Sequence, residues 1–199
     1  VPLNSSTAIR GIEIAGGSAL DSLFLNYNTI VLNASTTGAN LSTSGIYLLT
    51  TPRVQMRSNL VVNNSRPSGT GLAVAYERSS STLTTYLPGS DGNSFYAGTP
   101  GTSNLIYRDV INSSQTLTAY KTLMGTTRDA NSVSVNPVFQ STSFLADSFL
   151  RLQPMNAANC ALNKGGVPVY YVNTDFWNTT RDALRPDIGA HEFTPMPTL

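Results

Sequence analysis

Gly45-Ile46-Tyr47-Leu48, then Asn59-Leu60-Val61-Val62-Asn63, then Gly71-Leu72-Ala73-Val74: the reading of the whole chain turns on this stretch. Two signatures alternate in it. One is a glycine followed by a branched apolar residue, any residue and another apolar one. The other is an asparagine running into apolar residues. Working outward, the first recurs at Gly11-Ile12-Glu13-Ile14. The second recurs at Asn28-Thr29-Ile30-Val31 and Asn93-Ser94-Phe95-Tyr96. The glycines are spaced by 34 and 26 residues, the asparagines by 31 and 34.

A period of roughly 20–50 residues marks a solenoid, a propeller or an array. Each unit here holds short β-branched runs between Ser/Thr/Gly/Asn clusters, without helical periodicity. A propeller blade needs more strands and aromatic marks than these units contain. The expected fold is therefore all-β: a right-handed parallel β-helix of three to five coils with a short helix and an irregular C-terminal cap. In such a coil each strand pairs with its equivalent about 4.8 Å away. Ile12, Ile30, Ile46, Val61 and Leu72 are expected to point inward. Asn28, Asn59 and Asn93 are expected at one corner, hydrogen-bonded along the axis as amide ladders are in cross-β stacks.

Residues 1–110 read as coils, 111–193 as final coils and cap, and 194–199 as a linker to a further module. Between Ser114 and Met124, Leu117, Tyr120, Leu123 and Met124 fall at helical spacing. Ser114 or Thr116 is placed to cap that helix and Gly125 to end it. Val133, Phe149–Leu152 and Val167–Val172 are expected in further short strands. The coil edge at the N-terminal end is expected to be open, which predicts end-to-end association or a need for upstream residues.

Composition bounds the function. The chain has 199 residues, of which 12% are charged, with a net charge of +1. Ser, Thr and Asn number 23, 24 and 18, so the surface is hydroxyl- and amide-rich rather than ionic. The arginines are scattered, which argues against nucleic acid as a partner. No run of 18 apolar residues is available to span a membrane, and no leader segment is visible at Val1-Pro2-Leu3. Cys160 stands alone, so no disulfide is expected, and it reads as a buried, inert thiol.

The sharpest local motif is Arg185-Pro186-Asp187-Ile188-Gly189-Ala190-His191-Glu192. It resembles the closing PDIGAxE motif of bacterial secreted parallel β-helix proteins, the large surface proteins of Bacteroidetes type. Asp129-Ala130-Asn131-Ser132, Asn136-Pro137-Val138-Phe139, Phe149-Leu150-Arg151-Leu152 and Asp175-Phe176-Trp177 through Arg181 resemble other segments of that family. Asn136 replaces the commoner aspartate, and Asn156 to Leu162 is a degraded form of the family's S-P-A-I-D-x-G. The resemblance implies a β-helix in a secreted or cell-surface setting. It implies no single activity, since relatives include polysaccharide-active proteins and adhesins.

The chemistry in the sequence is sparse. Glu13, Asp21, Glu77, Asp91 and Asp109 form no paired-acid pattern of the kind a glycosidase needs. Glu13, between two isoleucines, is expected to face outward. Asp182, Asp187, His191 and Glu192 read as structural. Arg185 to Phe193 is expected to close the solenoid's end, with Ile188 entering the apolar column, His191 dispensable, and Asp187 paired with Arg181 or Arg185. No cofactor is expected, with Ca²⁺ at the tail acids or Asp91 left open.

The expected ligand-binding residues are Tyr47, Tyr76, Tyr86 and Tyr96, whose rings would stack on sugars unless they pack coil to coil. The sequence thus points to a non-catalytic adhesin or polysaccharide-binding region of a larger chain. The alternative is the C-terminal part of a polysaccharide lyase or glycosidase with its active site upstream.

Overall fold

The computed structural model describes residues 5–49 and 51–194. The expected linker, apart from Thr194, lies outside the described residues. Strands β1 (Ser5–Ile14), β2 (Ser22–Asn26) and β3 (Thr29–Leu32) make the first coil. The second holds β4 (Leu41–Leu48), β5 (Arg53–Arg57) and β6 (Leu60–Asn63). The third holds β7 (Ala73–Arg78), a 3-10 turn at Leu83–Thr85 and β8 (Ser94–Tyr96). Then follow β9 (Asn104–Arg108), β10 (Ser113–Ser114) and helix α1 (Leu117–Met124). Equivalent strands stack in parallel into three sheets, β1-β4-β7-β9, β2-β5 and β3-β6-β8, and β10 adds to the first by pairing antiparallel with β9. The chain is a parallel β-helix.

The asparagine corner holds this stack together. Asn28 donates from Nδ2 to Asn59 Oδ1 at 2.8 Å, and Asn59 donates to Asn93 Oδ1 at 2.9 Å. Asn93 in turn donates to Asp129 Oδ1 at 2.8 Å. The column therefore ends on a carboxylate that the sequence offered only within the family-like segment Asp129–Ser132 and not as a member of the corner. Each corner turns through one residue in the left-handed region: Tyr27 (φ 54°), Ser58 (φ 57°) and Gly92 (φ 63°). Asp129 also accepts from the hydroxyls of Ser132, Tyr86 and Tyr120. Burial raises the Asp129 carboxyl above its ordinary range, and the four donors around it act against that rise.

The interior is filled by Ile30, Val61 and Phe95 from the third sheet against Ile46, Leu48 and Tyr76 from the first and Val54 and Met56 from the second. Ile12 packs on this core from the outermost coil. Gly11 and Gly45 are needed where the first sheet approaches that filling. A Cβ at Gly45 would stand 2.3 Å from Val61 Cγ1, and one at Gly11 2.5 Å from Ile30 Cγ2.

The third glycine signature is out of register. Ile46 pairs with Tyr76, not with Leu72, so Ala75-Tyr76 occupies the position expected of Gly71-Leu72. Leu72 precedes β7, is only half-buried and belongs to neither apolar core.

Helix α1 closes the C-terminal end. Thr116 caps it by accepting from Ala119 N, and Gly125 ends it at φ 72°. Its Tyr120 and Met124 are buried in the core, with Leu117 and Leu123 packed beside them. The plug of the solenoid is thus this helix and not the tail motif.

Residues 135–193 instead run back over the outer face of the third sheet. Leu60 and Val62, pointing away from the interior, meet Leu152, Leu162, Ile188 and Phe193 in a second apolar core. That is why β6 is buried on both faces, as a continuous apolar run implies. Gly189 passes so close that a Cβ would stand 2.7 Å from Thr29 Oγ1 and 3.0 Å from Leu60 Cβ. Its N–H donates to Ser58 O at 2.7 Å, and that of Ala190 to Thr29 Oγ1 at 2.9 Å.

The strands expected in the tail are reduced to isolated bridges, Phe139 with Leu152, Ser141 with Phe149, and Val133 with Ser94. Leu150 in the left-handed region (φ 55°) interrupts the strand expected at Phe149–Leu152. At Val167–Val172 the backbone bonds side chains of the corners in place of a ladder.

Two sets of substitutions check this packing by urea denaturation. Asn59→Ala leaves the Asn28 N–H and one Asn28 Nδ2 hydrogen without their acceptor and takes one donor each from Leu25 O and Asn93 Oδ1, the latter keeping the Asn59 N–H. At roughly 1–3 kcal/mol for each unsatisfied buried group, it should cost at least about 2 kcal/mol. Ile188→Ala should cost about 2–5 kcal/mol. His191→Ala, expected from the sequence to be silent, should cost about 1–3 kcal/mol, because the buried His191 Nδ1 accepts from Leu152 N at 3.0 Å. A silent Asn59→Ala would mean the column is incidental.

Candidate functional site

The four tyrosines expected at a ligand site are not brought together on the surface. Tyr76 and Tyr86 are fully buried and form, with Phe95, Tyr107 and Tyr120, one aromatic cluster. No ring face there meets solvent. Tyr86 OH is spent on Asp129 at 2.5 Å and Tyr107 OH on Asp109 at 2.8 Å. Burial raises the Tyr76, Tyr86 and Tyr120 hydroxyls well above the ordinary phenol range. Tyr47 is half-buried, and the Arg10 guanidinium covers its ring at 3.6 Å. Tyr96 packs against the second apolar core under the tail.

The exposed aromatic rings lie elsewhere. β5 alternates Arg53-Val54-Gln55-Met56-Arg57, with Val54 and Met56 buried and the polar residues toward solvent. This is the strand of a sheet with one wet face. In register with it, Phe24 stands beside Gln55 and Asn26 beside Arg57. The tail supplies the facing wall. Tyr27 OH and Ser58 Oγ both donate to Val167 O, at 2.9 and 3.1 Å, and Ser58 Oγ accepts from Val167 N at 2.8 Å. These bonds hold Tyr170 and Tyr171 at the lip, their rings 5.1 Å apart and perpendicular. Tyr171 OH accepts from Asn26 Nδ2 at 3.0 Å.

The result is an open groove of about 570 Å³ lined by Phe24, Asn26, Gln55, Arg57, Tyr170 and Tyr171 among others. Tyr170 is 94% exposed, Tyr171 55% and Phe24 54%. Three bare rings beside carboxamides and a guanidinium make an amphipathic trough with stacking faces and hydrogen-bonding groups. Sequence reasoning passed over all three rings. The signal available was the alternation in β5 together with the paired tyrosines after Pro168.

The tail carboxylates are arranged as supports. Asp187 accepts from Phe193 N at 2.6 Å, Lys164 N at 2.7 Å and Asn163 Nδ2 at 3.2 Å. Glu192 accepts from the N–H groups of Asp182 and Asp187, both at 3.0 Å. Arg181 pairs with Glu192 at 3.2 Å rather than with Asp187, and its guanidinium lies 3.9 Å over the Tyr27 ring. Asp175 accepts from Trp177, Thr179 and Glu192 N–H groups. Glu13 pairs with Arg10 on the outside of β1, as its alternation implies.

Among the described residues no group of three or more His, Cys, Asp or Glu side chains is placed to hold a metal ion. No helix among them is long and apolar enough to cross a membrane. Cys160 is exposed, not buried. Its neighbour Asn159 takes the interior position, with its amide bonded to both Val138 N and Val138 O. No family model, no curated protein and no solved structure matches this chain.

Two tail groups titrate in opposite senses. Burial pushes the Asp187 carboxyl up to about 6, against the pull of the Phe193 and Lys164 amides. Burial also pushes the His191 imidazole down to about 4, and the nearby Arg151 charge adds to this. Asp187 therefore binds more protons folded than unfolded between pH 3.8 and about 6, so its contribution is lost as pH rises through that window. His191 binds fewer between about 4 and 6.5, so its contribution is lost as pH falls. Urea melts across pH should show the advantage of wild type over His191→Gln shrinking on acidification. The advantage over Asp187→Asn should shrink on going from pH 4 to 6. Curves that stay parallel would place both groups in water.

Proposed function

We propose that this chain is a non-catalytic, glycan-binding β-helix of a secreted or cell-surface protein, and that the trough on its second sheet takes a polysaccharide. The observation that carries the reading is the cluster of exposed rings, Phe24, Tyr170 and Tyr171, beside the amides of Asn26 and Gln55 and the Arg57 guanidinium. A pyranose presents a flat C–H face that stacks on an aromatic ring, and hydroxyls around its edge that pair with amide and guanidinium groups. A large exposed apolar patch rimmed by polar groups marks an interaction site. The setting is supported by the scarcity of charge and by the resemblance of the tail motif to that of secreted β-helix proteins. The tail acids favour binding over bond cleavage, since the carboxylates of Asp187 and Glu192 are engaged by backbone N–H groups.

A glycan array followed by titration of the best polysaccharide tests the proposal. Tyr170→Ala should weaken binding about tenfold or more, equivalent to about 1.4 kcal/mol, without moving the urea midpoint. Phe144→Ala, at an exposed ring outside the trough, should leave binding unchanged. Undiminished binding by a Phe24→Ala/Tyr170→Ala double variant would refute the assignment. So would sugar release that disappears on changing a single carboxylate.

A further inference from the structure

The amide column has a direction, and it is complete at one end only. At the lower corners each asparagine gives one Nδ2 hydrogen to the next member of the column. The other goes back to a carbonyl of the coil above: Asn59 to Leu25 O at 2.8 Å, Asn93 to Met56 O at 3.0 Å. Each Oδ1 accepts both the backbone N–H and the Nδ2 of the asparagine one coil above: Asn59 Oδ1 from Asn28, Asn93 Oδ1 from Asn59. Asn28 breaks the pattern. Among the described residues no coil lies above it, and its second Nδ2 hydrogen turns to Asn26 O at 3.3 Å. Its Oδ1 accepts no hydrogen bond among the described residues.

Among the described residues nothing covers the apolar interior at the same end. Leu23 is 37% exposed where its partner Val54 is 1% exposed. Ile12, Ile14 and Leu25 are likewise only partly buried, whereas their partners Ile46, Leu48 and Met56 are buried.

We propose that this end is a docking surface for one more parallel β-coil of the same polypeptide, whose corner asparagine donates from its backbone N–H and Nδ2 to Asn28 Oδ1. The chemistry selects this occupant over a second copy of the chain. Stacking head to tail would need a matching lower end, and that end is closed by α1 and by Asp129. Stacking two upper ends together would set one Asn28 Oδ1 against another, with the Nδ2 hydrogens of both already spent. A coil in the same polypeptide also arrives by the route the structure repeats. The chain passes from β3 to β4, from β6 to β7 and from β8 to β9 by a short link each time.

The register gives the test its form. Ile9 and Ala73 occupy equivalent places, since both pair with Thr43. A copy of residues 43–72 joined directly ahead of Ile9 therefore sets a second Asn59 above Asn28. This extended chain should show an unfolding constant lowered at least tenfold in urea melts. Asn59→Ala in the copy alone should abolish most of that gain. Equal stability of the two extended chains, or no gain in either, would overturn the proposal.

A second measurement does not depend on the extended chain folding. A peptide of residues 43–72 titrated into the isotope-labelled chain should shift the resonances of Asn28, Ile12 and Leu25 and leave those of α1 in place. No shift at Asn28 would overturn the proposal. So would a dimer of the unextended chain that protects Ile12 and Asn28, since a second copy would then be the occupant.

Discussion

The column Asn28–Asn59–Asn93–Asp129 is the constraint on which the rest depends. In β6, an apolar run buried on both faces, the side-chain pattern does little to fix the register, because one side chain looks much like the next. An amide buried at a corner removes that freedom. It must find a donor and an acceptor at one level above and one below, and a slip of one residue would leave several buried polar groups unpaired. The left-handed corner residues Tyr27, Ser58 and Gly92 turn the chain so that each amide points along the axis. Asp129 ends the column with a group that only accepts, and the two buried phenols of Tyr86 and Tyr120 complete its shell. The aromatic cluster and the carboxylate thus explain each other. Tyrosine can fill the lower interior because its hydroxyl has a buried partner.

The same corners organise the outside. Tyr27 and Ser58 lie where the second sheet meets the third, and their hydroxyls hold the returning tail at Val167. Arg181 stacks on the Tyr27 ring while bonding Gly189 O and Glu192, which ties the motif at residues 185–192 to that corner. The tail therefore covers the third sheet and stops at the rim of the second. This leaves the wet face of β2 and β5 bare and sets Tyr170 and Tyr171 along its edge.

What was legible in the sequence follows from this division. The asparagine period was readable because one position per coil is chemically constrained, and the capped helix because its Leu117, Tyr120, Leu123 and Met124 all face the core. Gly71 misled because the glycine signature records a close approach to Ile30 or Val61, and at the equivalent level the third coil has Ala75 instead. The tyrosines misled for a different reason. In a chain rich in Ser, Thr and Asn a tyrosine reads as surface, yet the partner that buries Tyr86 lies 43 residues away. The position of the tail was not readable at all. It has no period, and it is placed by single hydrogen bonds to residues more than a hundred positions earlier, such as Val167 to Ser58.

Hydrogen exchange of the asparagine side-chain amides, followed one resonance at a time, tests the central claim most directly. If the column orders the solenoid, the Nδ2 hydrogens of Asn59 and Asn93 exchange only as fast as the whole chain unfolds, alongside the backbone amides of β6 and β8. Exchange of Asn59 and Asn93 as fast as that of the exposed Asn178, while the strands stay protected, would show that the coils stack without the column and would contradict the account.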